Sequence, residues 1–85
     1  MEPYQEIILT SLTNNQLAYI VAINTDPKTQ KRLADLGLTP NTQIKMLRRI
    51  QQHGPVEIKV RGSQLILGKG IAKKILVKTI CHHQD

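Results

Sequence analysis

The sequence predicts a mainly β domain: a small, strongly bent antiparallel sheet or barrel of about five short strands, with one short capped α-helix between strands. Short apolar runs, either alternating with period two or rich in β-branched residues, recur along the 85 residues. A helix with both ends specified interrupts these runs, and turn residues separate them. A chain of this length is expected to form one domain with a core just large enough to fold.

The helix is the best-specified element. Asp26 is a good N-cap because its carboxylate can accept the unpaired amides of the first turn, and Pro27 suits the first helical position. Gly37 fits the left-handed residue that closes a helix. In that register Leu33 and Leu38 form the hydrophobic contact of a Schellman ending.

Apolar runs, either rich in β-branched and aliphatic residues or alternating with period two, predict the strands. They are Leu17–Ile23, a run from Ile44 to Ile50, Val56–Val60, Leu65–Leu67 and Ile75–Ile80. The second run alternates imperfectly because Arg48 interrupts its apolar side. Residues 51–55 are predicted to form a hairpin loop, and Gly68 begins a compact turn. Residues 1–11 are expected to be an N-terminal strand or strap that covers a barrel edge, residues 12–80 the barrel, and residues 81–85 a frayed tail.

Three motifs stand out in order along the chain: Arg32-Leu33-x-x-Leu36-Gly37-Leu38-x-Pro40, then Gly54-Pro55-Val56-Glu57-Ile58 with Arg61-Gly62, and finally Ala72-x-x-Ile75. With the order of the predicted elements, they make the chain resemble the FeoA domain from about Leu12 to Val77. That domain is a small SH3-like barrel associated with bacterial ferrous iron uptake. The family usually has glycine at two turns where this chain has Asn15 and Asn41. Asparagine tolerates positive φ better than other non-glycine residues, so the turns should survive.

The resemblance implies a non-enzymatic cytosolic accessory protein of ferrous iron uptake. Such a protein would dock on the cytosolic region of a FeoB-type transporter, a membrane protein with a GTP-binding domain, and modulate its GTPase or transport activity or its assembly. The expected docking residues surround the capped helix: Lys31, Arg32, Asp35 and Leu38. Capping and core packing already explain Leu33, Leu36 and Gly37. No cofactor, small-molecule substrate or nucleic acid is expected as a partner, and weak self-association is left open.

The formal net charge of +6 leaves other functions open. Twelve Lys and Arg side chains could face nucleic acid, an anionic membrane, an acidic protein or only solvent. The aromatic residues are limited to Tyr4 and Tyr19, which nearly excludes a stacking platform for single strands. Two alternatives remain: a small-barrel RNA-binding module, and a stand-alone relative of the SH3-like regulatory domain of a metal-dependent repressor.

Catalytic and metal-binding patterns are sparse. The six acidic residues are scattered, and the glycines around Lys69 lack the flanking residues of a phosphate-binding loop, so no enzyme is predicted. Cys81 and His83 are weak metal candidates because two ligands are too few for a closed zinc site. As a nucleophile, Cys81 beside His82 would need an acid to orient the histidine, and Asp85 is the only candidate.

The expected location is cytoplasmic, at the inner membrane only through the partner. A single cysteine excludes an internal disulfide, which suits the cytosol. The sequence contains no apolar run approaching 18 residues and nothing that reads as a signal peptide.

Overall fold

The computed structural model describes residues 4–50 and 54–80. They form one six-stranded antiparallel sheet and two short helices, in the order β1 (Tyr4–Ile8), a 3-10 turn (Leu9–Ser11), β2 (Leu17–Ile23), α1 (Pro27–Asp35), β3 (Gln43–Arg49), β4 (Val56–Val60), β5 (Ser63–Leu67), α2 (Lys69–Ala72) and β6 (Ile75–Ile80). The predicted mainly β class, with a short capped helix between strands, is confirmed. The N-terminal segment supplies a sixth strand, and the predicted turn after Gly68 is one turn of helix.

Residues 51–53 of the predicted hairpin loop and the tail with Cys81 and His83 lie outside the described residues. None of the helices in the described part of the chain is long and apolar enough to cross a membrane.

The strands are ordered β1-β6-β2-β3-β4-β5, so β2 lies between β6 and β3. It pairs with β6 along residues 19–23 but with β3 only along residues 17–19. The registers shift at Val21 in β2 and at Leu47 in β3, which are β-bulges. A bulge inserts one extra residue, bends its strand and increases the local twist.

The bulge at Leu47 explains the imperfect alternation in the second predicted strand. It places Arg48 opposite Glu57 on the outer face of the sheet. The apolar side of this strand therefore ends before Ile50, which lies beyond β3 and is exposed rather than continuing the apolar face.

One hydrophobic core fills the concave side of the sheet. Its members alternate along the strands with outward-facing polar residues, as the period-two pattern predicts. They are Leu9, Leu12, Ala18, Ile20, Ile23, Leu33, Leu38, Ile44, Met46, Val56, Ile58, Val60, Leu67, Ala72, Ile75 and Val77. No buried side-chain nitrogen or oxygen in residues 4–50 and 54–80 lacks a hydrogen-bond partner.

Helix α1 has hydrogen-bonded caps at both ends. The Asp26 carboxylate accepts the Thr29 main-chain N–H at 3.1 Å and the Thr29 hydroxyl at 2.7 Å. At the other end the Leu38 N–H donates to the Leu33 carbonyl at 2.9 Å, and Gly37 has φ +96°. These are the bonds of a Schellman ending, so α1 stops after nine residues.

Gly37 is also a point of close approach between α1 and the β4–β5 hairpin. A Cβ atom added there would lie 3.0 Å from Arg61 Cδ. Leu36, by contrast, is 51% exposed, so it does not pack in the core. Its position as the C-cap residue of α1 is its structural role.

We expect Leu33→Ala to lower the free energy of unfolding by about 2–4 kcal/mol, because it removes buried methyl groups and leaves a cavity under α1. Leu36→Ala is the matched control: the same change at the exposed end of the same helix should stay within about 0.5 kcal/mol of the parent. Urea unfolding of the three proteins measures the difference. Equal midpoints for the two variants would contradict the packing described for α1.

The cap at Asp26 predicts a pH dependence. The hydrogen bonds from the Thr29 hydroxyl and from the Thr29 N–H lower the pKa of Asp26 below its ordinary value of 3.8. A lowered folded-state pKa contributes stability that is present above the unfolded pKa and is lost as pH falls through the folded pKa. The stability advantage of the parent over Asp26→Asn should therefore shrink below pH 3.8. Thermal unfolding across the acid range measures it; Thr29→Val, which removes the hydroxyl donor, should reduce the effect. Identical pH profiles for the parent and Asp26→Asn would refute it.

Candidate partner-binding groove

A groove of about 390 Å³ lies between α1, the second half of β2 and the loop that leads to β3. Its lining is mostly apolar and consists of Val21, Ala22, Ile23, Asn24, Gln30, Ala34, Leu38, Thr39 and Pro40. We call this feature the α1–β2 groove.

The groove exists because β2 extends beyond the segment in which it pairs with β3. The Ile20 N–H donates to the Thr42 carbonyl at 3.0 Å, and the Asn41 N–H donates to the Ile20 carbonyl at 2.7 Å. Beyond Ile20 the segment that leads into β3 no longer runs alongside β2. This edge of β2 therefore faces α1 across a gap instead of another strand.

Gln30 connects the helix to the strand across this gap. Its side-chain amide Nε2 donates to the Ile23 carbonyl at 2.6 Å, in a partly buried bond. The bond satisfies the Ile23 main-chain oxygen and ties α1 to β2.

The loop at the mouth of the groove has its own constraints. Asn41 adopts φ +72°, which asparagine tolerates better than other non-glycine residues. The hydroxyls of Thr39 and Thr42 are hydrogen-bonded at 2.8 Å. These contacts fix the direction in which Pro40 is presented to solvent, where it is exposed.

Of the four residues expected to contact a partner, three are exposed and one is buried. Lys31, Arg32 and Asp35 are exposed on α1, beside the groove residues Gln30 and Ala34. Leu38 contributes to the groove lining but is only 1% exposed, so its side chain forms the floor and belongs to the core. The apolar surface that a partner can reach therefore comes from other residues: Val21, Ala34 and Pro40.

Sequence reasoning missed most of the lining. Ala34 lies one turn after Gln30 on α1, a spacing that places both side chains on one helix face and could have suggested a shared surface. No sequence signal marks the residue at which β2 loses its β3 partner, so the half-buried Val21 and Ala22 read as ordinary strand residues.

The groove has the chemical groups of a binding site. Its lining residues carry no acidic or basic side chain, and their polar groups are two side-chain amides and one hydroxyl. Within residues 4–50 and 54–80 no three His, Cys, Asp or Glu side chains are grouped so that they could hold a metal ion. The arrangement suits a few apolar side chains of a partner and one or two hydrogen bonds.

A family model and a relative of known name both match this chain, and they agree with each other. A model described as the FeoA domain matches residues 7–79. A relative from Methanocaldococcus jannaschii named Fe(2+) transport protein A is 38% identical over 48 residues, a match that spans 56% of this chain and 56% of that relative. The chain thus matches little more than half the length of this curated relative.

Solved structures agree on the fold. The crystal structure of an iron uptake regulatory protein (FeoA) superposes with a TM-score of 0.80 at 26% identity, over 89% of this chain and all of that chain. A manganese-dependent transcriptional repressor superposes with a TM-score of 0.77 at 18% identity, over 94% of this chain and 44% of the repressor. At that identity the likeness shows the fold alone.

The Gln30 bond gives a testable expectation for the groove. Gln30→Met keeps the side-chain length but leaves the Ile23 carbonyl without its donor, so the free energy of unfolding should fall by about 1 kcal/mol. Amide chemical shifts should change mainly along residues 21–24. Gln64→Met, at an exposed position of β5, is the matched control and should be near neutral. A loss of stability as large in the control would show that the bond does not hold the groove.

Proposed function

The chain belongs to the FeoA family, and from that membership we propose that it is a non-enzymatic, cytoplasmic accessory protein of ferrous iron uptake. It docks on the cytosolic region of a FeoB-type transporter and modulates the transporter's GTPase or transport activity or its assembly. The match of the FeoA domain model to residues 7–79 is the observation that carries this proposal. The name of the Methanocaldococcus jannaschii relative, Fe(2+) transport protein A, supports the same process.

The α1–β2 groove is the docking site we propose. It combines a pre-formed apolar depression with an exposed helix face, the arrangement in which small domains hold a short segment of a partner. Val21, Ala34 and Pro40 supply the reachable apolar contacts. A small barrel buries roughly 600–800 Å² against one partner, at the low end for specific complexes, so the association is transient.

Charges beside the groove guide the encounter. Lys31, Arg32 and Asp35 are exposed, and their side chains make no hydrogen bond or ion pair within the described part of the chain. Exposed charges at the rim of an interface act mainly on the association rate and on its salt dependence. The pair Lys31 and Arg32 favours an acidic surface on the transporter.

The proposal contains no catalytic step. The groove lining offers neither an acid nor a base, and phosphoryl transfer needs a positioned cation and a phosphate-binding loop. Any effect on GTP hydrolysis is therefore exerted through the partner's own active site.

The fold shared with the manganese-dependent repressor leaves a second candidate function open. The chain would then be a stand-alone relative of the regulatory domain of such a repressor. In the described residues the helices have nine and four residues, which leaves no helix pair for reading DNA. Binding to a repressor instead of a transporter would distinguish this function.

Binding of the full chain to the purified cytosolic region of a FeoB-type transporter tests the docking proposal. Lys31→Glu with Arg32→Glu should slow association about tenfold at low salt and leave dissociation nearly unchanged. Ala34→Gln should instead speed dissociation, because the longer side chain fills the groove while remaining compatible with a helix.

Lys69→Glu with Lys73→Glu provides the control, since it makes the same charge change at exposed positions in and after α2. The parent rates should be retained in this variant. No detectable binding to the transporter region, together with tight, salt-dependent binding of RNA, would favour the nucleic-acid alternative over docking.

A further inference from the structure

The outer face of the sheet carries a row of side chains that the groove does not use. The strand registers place Leu17 opposite Lys45, Lys45 opposite Lys59, and Lys59 opposite Gln64. We call these four residues the lysine row. Because neighbouring strands lie about 4.8 Å apart, the row crosses four strands and is about 14 Å long.

Within residues 4–50 and 54–80, the side chains of the two central lysines, Lys45 and Lys59, make no hydrogen bond or ion pair. The nearby carboxylate of Glu57 is already bound by Arg48, with Arg48 Nε 3.0 Å from Glu57 Oε1, and Glu57 is only 17% exposed. The centre of the row is therefore an open site of positive charge.

This arrangement works against the stability of the isolated domain. Like charges directly opposite each other on neighbouring strands are destabilising, and Lys45 and Lys59 are such a pair. An anionic ligand on this face would convert the repulsion into attraction. The geometry therefore favours a negatively charged partner for the outer face, separate from the uncharged groove.

Exposed apolar side chains flank the lysines. Leu17, at the end of the row, is 52% exposed, and Ile66, on β5 beside Gln64, is 62% exposed. Tyr19 lies two residues from Leu17 on the same face and is half-buried. Lysines with aliphatic and tyrosine side chains are the combination that membrane interfaces attract.

We propose that this face contacts an anionic phospholipid surface directly. Lys45 and Lys59 pair with headgroup phosphates, while Leu17 and Ile66 enter the boundary between headgroups and acyl chains. The contact goes beyond the proposed function, in which the protein reaches the membrane only through a transporter. It is reversible, since two lysines and two aliphatic side chains give a weak anchor.

The face fits a lipid surface better than a peptide or a nucleic acid. Strands β3 and β4 are paired on both sides, so their main-chain groups are used and an added peptide strand has no edge to join there. Leu17 and Ile66 would find no counterpart on a phosphate backbone. A bilayer surface accepts scattered charges and apolar groups together without requiring a defined register.

Flotation of the full chain with lipid vesicles tests the proposal without any transporter present. The parent should bind vesicles that contain phosphatidylglycerol, should not bind vesicles of phosphatidylcholine alone, and should be released by 500 mM salt. Lys45→Gln with Lys59→Gln should weaken binding about thirtyfold, since each lysine near an anionic surface contributes a factor of about five. Lys69→Gln with Lys73→Gln, which makes the same charge change off this face, should lose far less.

Two further readouts separate the role of the row from effects on folding. The melting temperature of the Lys45→Gln, Lys59→Gln variant should equal or exceed that of the parent, because the cross-strand repulsion is removed. Leu17→Gln with Ile66→Gln should also weaken vesicle binding while both lysines remain. Unchanged vesicle binding by this double variant would overturn the insertion of Leu17 and Ile66.

Other results would overturn the proposal as a whole. They are equal binding to neutral vesicles, an equal loss in the Lys69 and Lys73 control, or lysine-dependent binding of RNA or poly-glutamate without vesicle binding. Because the vesicles contain only lipid, a negative result here leaves docking on a transporter untouched, and a failed transporter experiment leaves this result untouched.

Discussion

The short pairing between β2 and β3 is the constraint on which the site depends. Strand β2 continues to Ile23 along β6, yet its hydrogen bonds toward β3 end at Ile20. Its remaining edge needs a cover, and α1 provides one through the bond from Gln30 to the Ile23 carbonyl. Because a helix cannot approach a strand edge as closely as another strand does, a groove remains between them.

Helix α1 can serve as this cover because both of its ends are fixed. Asp26 fixes the first turn and Gly37 the last, so the helix has one length and one direction. The approach of Arg61 to Gly37 then sets the end of the helix against the β4–β5 hairpin. A side chain at position 37 would both strain the backbone and push this contact apart.

Uncharged and charged surfaces are kept apart in this small molecule. The groove is lined by apolar, amide and hydroxyl groups, while lysines and arginines lie on the rim of α1 and on the outer face of the sheet. An 85-residue chain with a formal net charge of +6 has few acidic groups with which to pair them. Lys45 and Lys59, whose side chains have no partner among the described residues, are therefore available to other molecules. Arg49 is used internally, donating to the carbonyls of Thr10 and Leu12 at 2.5 and 3.2 Å.

The sequence by itself determined the local elements. A run of β-branched and aliphatic residues located β2, and period-two alternation located β4. The signals around Asp26 and Gly37 located the ends of α1, because all these features depend on residues close together in the chain. Only the tertiary structure decided where β2 loses its partner, where the bulges at Val21 and Leu47 fall, and which lysines meet across strands. Those outcomes depend on the register between distant segments, which no local pattern in one sequence specifies. For the same reason Leu38, read as a docking residue, lies under the groove, and Gln30, which reads as an ordinary helix residue, holds it open.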